Sequence, residues 1–390
     1  MLASYSVEVS TPIYLDYNAT TPVAPEVVDA IRPFLVEHFG NPSSSHVYGL
    51  SARQAVAEAR ASVAGLIRAK QKEIVFTGSA TEADNLALLG VASASGQTRR
   101  HLVISAIEHP AVMRPAQHLR ETGWDLTVVP VDSYGRVDPH AVAAAVRSDT
   151  ALVSIMHANN EVGTIQPITE IARLIKPMGV LLHTDAAQSA GKVDLDVNAL
   201  GVDLLTLAGH KFYATKGVGA LYVRSGTPIR PIMFGADQEH GLRPGTENVP
   251  LIVGLGAAAK LAREHLPAAI RKLRTLRDAL HERLAATVPG LVLNGHLVDR
   301  LPNTLHVSFP GISGRELLSR VAGQVAASVG SACHSETDAV SGVLAAMGCD
   351  ADRARGAVRL SVGWMSTLEE IEVAAMTLSK AVDDLLVRRC

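Results

Sequence analysis

A lysine that follows a histidine in a glycine-flanked turn between two apolar runs is the first residue of this chain with a reason to do chemistry. In DLLTLAGHKFYATKGVGALYV, His210 and Lys211 stand in that turn. A lysine beside an aldehyde cofactor can form a Schiff base once burial and neighbouring charge have freed its amine of a proton. Upstream, VLLHTDAAQSAG ends an apolar strand with a polar cluster and places Asp185 and Gln188 just past the strand's carboxyl end. A carboxylate there can hold a pyridine nitrogen protonated, and the amide can reach a ring hydroxyl. Further upstream, FTGSATEADN sets Gly78, Ser79, Ala80 and Thr81 between a strand and a helix, where unpaired N–H groups and the helix dipole attract a phosphate. Each segment alone has an ordinary reading: a solvated loop lysine, an aspartate capping the next turn, a threonine capping its own helix. Their order carries more. A phosphate loop, a ring-binding aspartate and a lysine, each after a strand, is what a pyridoxal 5′-phosphate site on a parallel sheet requires.

The elements that must position these residues alternate in type. EIVFT, HLVIS, LTVVPV, ALVSIM, VLLHTD, DLLTL and GALYV read as strands, with helical patterns over 82–92, 111–121 and 140–146 between the earlier ones. This predicts an α/β fold, a mostly parallel sheet covered by helices on both faces, with ligands at the carboxyl ends of its strands. After residue 261 the pattern changes to a long charged helical stretch, short strands near 304–309 and 358–362, and a closing helix over 367–386. That reads as a smaller α+β domain, joined by the N-terminal arm. A chain of 390 residues suits two such domains.

Composition excludes several classes. Hydrophobic residues make up 47% and charged residues 19%, and the net charge is −2, so no nucleic-acid or membrane surface is expected from bulk electrostatics. The N-terminus lacks a signal-peptide pattern, and the apolar run over 249–259 stops at Lys260, short of a membrane span. A soluble, cytoplasmic protein is expected. The cysteines, Cys333, Cys349 and Cys390, are odd in number and have no metal-ligand spacing, which predicts neither a disulfide framework nor a metal site. Cys333, in the small polar stretch VGSACHSE, has the setting of a reactive thiolate; Cys349 and Cys390 do not.

Taken together, YLDYNATTP, FGNPSSSH, the Thr81-Glu82 helix start, IEHPAV, HANNEVGTIQPI, HTDAAQ, GHKFY, RPGTENV, GSACHS and RLSVG resemble the cysteine desulfurase and selenocysteine lyase family, which are class V, fold-type I pyridoxal-phosphate enzymes. The resemblance covers almost the whole chain. It implies a large domain over 20–260 with a mostly parallel seven-stranded sheet. A small domain of 1–19 and 261–390 would carry the catalytic cysteine loop. Lys211 would join the cofactor, Asp185 pair with its ring nitrogen, and His109 stack on the ring and move protons. Asn160 and Gln188 would contact the ring oxygen. Ala80, Thr81 and His210 would hold the phosphate, and Thr246 would reach the phosphate of the second subunit of a homodimer. Arg359 would take the substrate carboxylate, for which its planar fork is suited, with His46 and Asn160 bordering the substrate. Cys333 would attack the sulfur of L-cysteine and leave L-alanine, while the selenol of L-selenocysteine departs with less help.

The chain departs from the family pattern at Ala208, where a phosphate-binding serine often stands, at the reversed Gly78-Ser79 order, and at Trp364, where an arginine often follows. GHKFY, RPGTEN and ACHS resemble the selenocysteine lyase branch, whereas the spacing from Cys333 to Arg359 resembles desulfurases with a long cysteine loop. A protein that accepts the sulfur or selenium is a further expected partner. Two rival readings share these motifs: a class V aminotransferase of a small amino acid, which has no use for Cys333, and an inactive dimeric scaffold for sulfur-transfer partners.

Overall fold

In the computed structural model, which describes residues 11–330 and 341–387, the seven apolar runs form one sheet. Its spatial order is Ile74–Thr77, Gly219–Val223, Leu204–Ala208, Leu181–Asp185, Thr150–Ser154, His101–Ser105, Asp125–Val129. Gly219–Val223 is antiparallel to both its neighbours, and every other pairing is parallel. Ile74–Thr77, His101–Ser105, Thr150–Ser154 and Leu204–Ala208 are buried along their whole length. This is why they read as continuous apolar runs: helices cover both faces. Because the parallel strands share a direction, Thr77, Ser105, Asp185 and Ala208 end at one edge of the sheet, and the segments after them meet there.

The two helices Pro25–Val36 and Val47–Leu66 precede the sheet. The second packs on the 39-residue helix Val249–Thr287. The approach is close: a Cβ on Gly256 would lie 2.5 Å from Ala59 Cα. That long helix runs through both hydrophobic cores. Val249, Ile252, Leu255, Ala258, Ala259 and Ala262 belong to the core beneath the large sheet. Leu273, Leu276, Leu280 and Leu284 belong to a second core with Leu305, Val358 and Leu378. Pro267, which gives up one helical N–H bond, lies between the two halves.

The second core supports a three-stranded antiparallel sheet, Ala357–Ser361, Thr304–Ser308 and Val292–Asn294, in that order. The helix Leu368–Val387 covers it. The N-terminal arm pairs Ile13–Tyr14 with Val325–Ala326 and bridges Asp16 to Ser361. Residues 17–21 are thereby carried to the carboxyl edge of the large sheet. Among the described residues no helix is long and apolar enough to cross a membrane.

Candidate active site

Lys211 ends a short 3-10 turn, Gly209–Lys211, directly after the strand Leu204–Ala208. Gly209 makes the turn possible, since a Cβ there would come 3.0 Å from the Val218 carbonyl oxygen. Lys211 Nζ donates to the backbone oxygens of Asn18 at 2.7 Å and Ala19 at 2.8 Å. Asp185 is the last residue of its strand, one position earlier than the sequence pattern suggests, and is 6% exposed. Burial pushes its carboxyl up from the ordinary range, opposed by the Ala187 N–H it accepts at 2.9 Å and by His109 and Lys211. His109 caps the helix Pro110–Glu121 by accepting the Ala111 N–H on Nδ1 at 3.1 Å. With Nδ1 an acceptor, the neutral ring carries its proton on Nε2. Burial lowers the His109 pKa, Asp185 opposes that, and Lys211 adds to it.

Two further carboxyls lie in the same interior. Glu108 Oε1 accepts the Ser105 hydroxyl at 2.5 Å and the Met156 N–H at 3.0 Å, while Oε2 has no partner. Burial raises Glu108 to about 8. Asp84, fully buried on the helix Ala80–Ala94, has Thr206 and His183 Nε2, the latter at 3.5 Å, as its polar neighbours, and neither makes a well-formed hydrogen bond to it. Burial and then the Asp185 charge raise it well above the carboxylate range. His183, whose ring meets Ser154 Oγ at 2.8 Å and Thr206 Oγ1 at 3.1 Å, is lowered by burial to about 3 and is neutral. Burial thus disfavours a charge on all three carboxyls, and Asp185 is the one whose neighbours His109 and Lys211 favour it.

On the other side of Lys211, Gln188 donates Nε2 to Asn18 O at 3.0 Å and accepts Lys192 Nζ on Oε1 at 3.1 Å. Arg359 is 3% exposed; it donates to Asp16 Oδ1 at 2.8 Å and to the Asn160 carbonyl at 2.9 Å, and its Nε has no partner. Asn160 is thus tied through its backbone, which also receives Asn18 Nδ2 at 3.2 Å. Ala80 opens its helix and Thr81 follows inside it, so the cap is Ser79, whose oxygen accepts the Glu82 N–H, and not Thr81. Gly219 lets the neighbouring strand lie against this turn, where a Cβ would be 2.9 Å from Ala80 N. His210, lowered to about 4 chiefly by burial, meets Thr20 Oγ1 at 3.1 Å through Nδ1. Lys211, Asp185, His109, Gln188, Asn160 and Arg359 are thus joined by contacts or by mutual charge. His46 and Thr246 are exposed and make no contact with that group among the described residues. Cys333 lies outside the described residues. Among the described residues there is no cluster able to hold a metal ion.

The sequence over residues 13–373 matches the aminotransferase class-V family. The chain belongs to this family. It is 43% identical over 374 residues to a protein named cysteine desulfurase IscS from Dictyoglomus turgidum, covering 96% of this chain and 95% of that one. It is 46% identical over 364 residues to another of that name from Anaeromyxobacter sp., covering 93% and 90%. Among solved structures, one titled NIFS-like protein superposes with a TM-score of 0.89 at 39% identity, covering 97% of this chain and 100% of that one. Another, titled SspA in complex with cysteine, gives 0.81 at 36% identity, covering 90% and 98%.

Class-V enzymes of this kind use pyridoxal 5′-phosphate, and the residues present fit it. A lysine amine and a buried carboxylate face one another's charge, a glycine leaves room against the Ala80 turn, and a buried guanidinium keeps an unpartnered nitrogen. Ala208 is buried and offers no hydroxyl in place of the family's serine. Trp364 stacks on Tyr213 at 3.9 Å and 9°, and its N–H donates to Tyr213 Oη at 2.7 Å. Sequence reasoning passed over Asn18, Lys192, Asp84 and Glu108. Asn18 sits in the YLDYNATTP segment, and its position there is the signal that points to it.

Proposed function

We propose that this protein is a cysteine desulfurase that binds pyridoxal 5′-phosphate, takes the sulfur atom from L-cysteine and releases L-alanine. The observation that carries the reading is the meeting of Lys211, Asp185 and His109 at one sheet edge, in a chain 43% identical over 96% of its length to a cysteine desulfurase. When bound, the cofactor supplies an aldehyde for an amine and a ring that accepts an electron pair. Lys211 Nζ would hold that aldehyde, and its free amine would take the α-proton of the substrate. Asp185 would pair with the ring nitrogen and favour its proton, and His109 would stack on the ring and move protons through Nε2. Gln188 and Asn160 would contact the ring oxygen, while Ala80, Thr81 and His210 would hold the phosphate. Arg359 takes the substrate carboxylate, a use supported by its unpartnered Nε. The Cys333 thiolate forms a bond to the substrate sulfur as the carbon–sulfur bond breaks. The electron pair stays with carbon, a proton completes alanine, and a persulfide remains on Cys333.

The same reading makes the protein a cytoplasmic homodimer with domains over 20–260 and over 1–19 plus 261–390. The exposure of Thr246 and His46 supports sites built from two copies. Thr246 then reaches the phosphate across the interface and His46 borders the partner's substrate. A sulfur-accepting protein discharges the persulfide.

The test is Cys333→Ala. It should keep the visible cofactor band and lose alanine and sulfide production from cysteine. Turnover at the wild-type rate would remove Cys333 from the reaction and favour the aminotransferase, which needs a 2-oxo acid. GHKFY and ACHS support L-selenocysteine as a second substrate. Side-by-side initial rates decide it, with Cys333→Ala expected to keep a sizeable fraction of activity on selenocysteine alone.

A further inference from the structure

We infer that Lys192 is a positioning residue of this site: its ammonium holds the Gln188 amide by Oε1 and sets the charge against which Lys211 works. Lys192 is 5% exposed, and its Nζ donates to Gln188 Oε1 at 3.1 Å. With that oxygen engaged, the NH₂ of Gln188 is the end offered to the site. It donates to Asn18 O, the same carbonyl that accepts Lys211 Nζ. Lys192 and Lys211 also line one small cavity with Tyr17, Tyr213, Asn303 and Trp364.

A lysine in this position is costly. Burial first, and then the charges of Lys211 and Arg359, together lower its pKa to about 7. The groups that face it are Lys211 and His210 from the turn after Leu204–Ala208, and Arg359 from Ala357–Ser361 with Asp16 paired to it. Tyr17 and Tyr213 face it across the cavity, and Asp185 begins its own turn. Among the described residues no carboxylate lies within ion-pair distance of Lys192 Nζ, and its hydrogen-bond partner is an amide. An apolar side chain would fill the space without that penalty. The ammonium instead polarises the Gln188 amide as a donor to an anionic ring oxygen, and its charge disfavours a proton on the Lys211 nitrogen.

This inference rests on the reading of Lys211 as the cofactor-bearing lysine. The experiment is a pH titration of the visible absorption band in the purified holoenzyme, comparing wild type, Lys192→Met and Lys192→Arg. The band midpoint should be highest in the Met protein, intermediate in wild type and lowest in the Arg protein, whose charge persists at every pH. A spread on the order of one pH unit between the Met and Arg proteins is expected for one buried charge. Should the Met protein not fold, Lys192→Gln takes its place. Equal midpoints in proteins that hold the cofactor overturn the role of Lys192. A wild-type protein that shows no visible band after cofactor is added overturns the cofactor reading instead.

Discussion

Asp84, Glu108 and Asp185 share one interior, and the way they divide their protons sets how stability depends on pH. Glu108 is raised to about 8 by burial, against an unfolded value of about 4.3. Between those values the folded chain keeps a proton that the unfolded chain has released, so stability falls as pH rises through the window. The slope is about 1.4 kcal/mol per pH unit for one such group. Glu108→Gln keeps the Oε1 contacts and removes the titration. In urea unfolding at pH 5 and pH 8, wild type should lose more stability between the two than Glu108→Gln; identical losses would mean Glu108 is ionised when folded. Arg359 gives a second test at this scale. Its two bonded nitrogens are fixed by Asp16 and the Asn160 carbonyl, a geometry an ammonium cannot copy. Arg359→Lys should therefore lower kcat/KM by about 2 kcal/mol or more in transition-state binding, read from steady-state rates on cysteine. Lys211, Asp185 and His109 were legible because each lies at a strand end, in the turn just after a strand or at a helix cap, inside a recognisable segment. Asp84 and Glu108 were not, because only the spatial order of the strands brings a helix residue of TEADN and the residue before His109 close to Asp185.

At the scale of elements, the turn that carries Lys211 is held from outside the sheet. Tyr213, two residues on, adopts φ 71°, a left-handed conformation that costs a non-glycine residue about 1–2 kcal/mol. Its ring is stacked under Trp364 and its hydroxyl oxygen accepts the Trp364 N–H. Trp364 follows the strand Ala357–Ser361, so the stack ties the lysine turn to the strand that carries Arg359. Tyr213→Phe keeps the stack but leaves the Trp364 backbone N–H without its acceptor and should cost about 1 kcal/mol; Trp364→Ala keeps that backbone N–H bond but removes the indole and its stack and should cost about 2 kcal/mol. Urea unfolding followed by circular dichroism measures both, and Trp364→Ala no less stable than Tyr213→Phe would deny the stack its role. The strands of the large sheet were read within a residue or two, since their apolar runs are unbroken. The helices Pro25–Val36 and Val47–Leu66 were passed over: both follow motif segments rather than strands, so the alternating pattern did not reach them. The N-terminal half of Val249–Thr287 was seen only as an apolar run, because Gly254 and Gly256, placed for close packing on Ile31 and Ala59, dilute the helical pattern.

At the scale of the whole molecule, the segment FGNPSSSH raises a surface that one chain leaves uncovered. Phe39 is 71% exposed and stacks on Tyr48, itself 55% exposed, with ring centroids 5.5 Å apart. The turn is rigid: a Cβ on Gly40 would lie 2.1 Å from the Tyr48 carbonyl oxygen, and Arg53 Nε donates to Pro42 O at 2.8 Å. Leu35, Val36, Val47 and Leu50 are exposed around it. A fixed aromatic pair ringed by aliphatic side chains is the anatomy of an interface core rather than of a solvated loop. His46 stands in the same segment, away from its own chain's Lys211, so a second copy that covers Phe39 also brings His46 toward its site. Isologous pairing would then complete two equivalent sites at once. In the proposed homodimer, Phe39→Asp should give a monomer in sedimentation or light scattering, and that monomer should bind pyridoxal phosphate more weakly if Thr246 serves the second copy's phosphate as proposed. A Phe39→Asp protein that stays dimeric would place the interface elsewhere, and a wild-type monomer with full activity would show that each chain completes its own site.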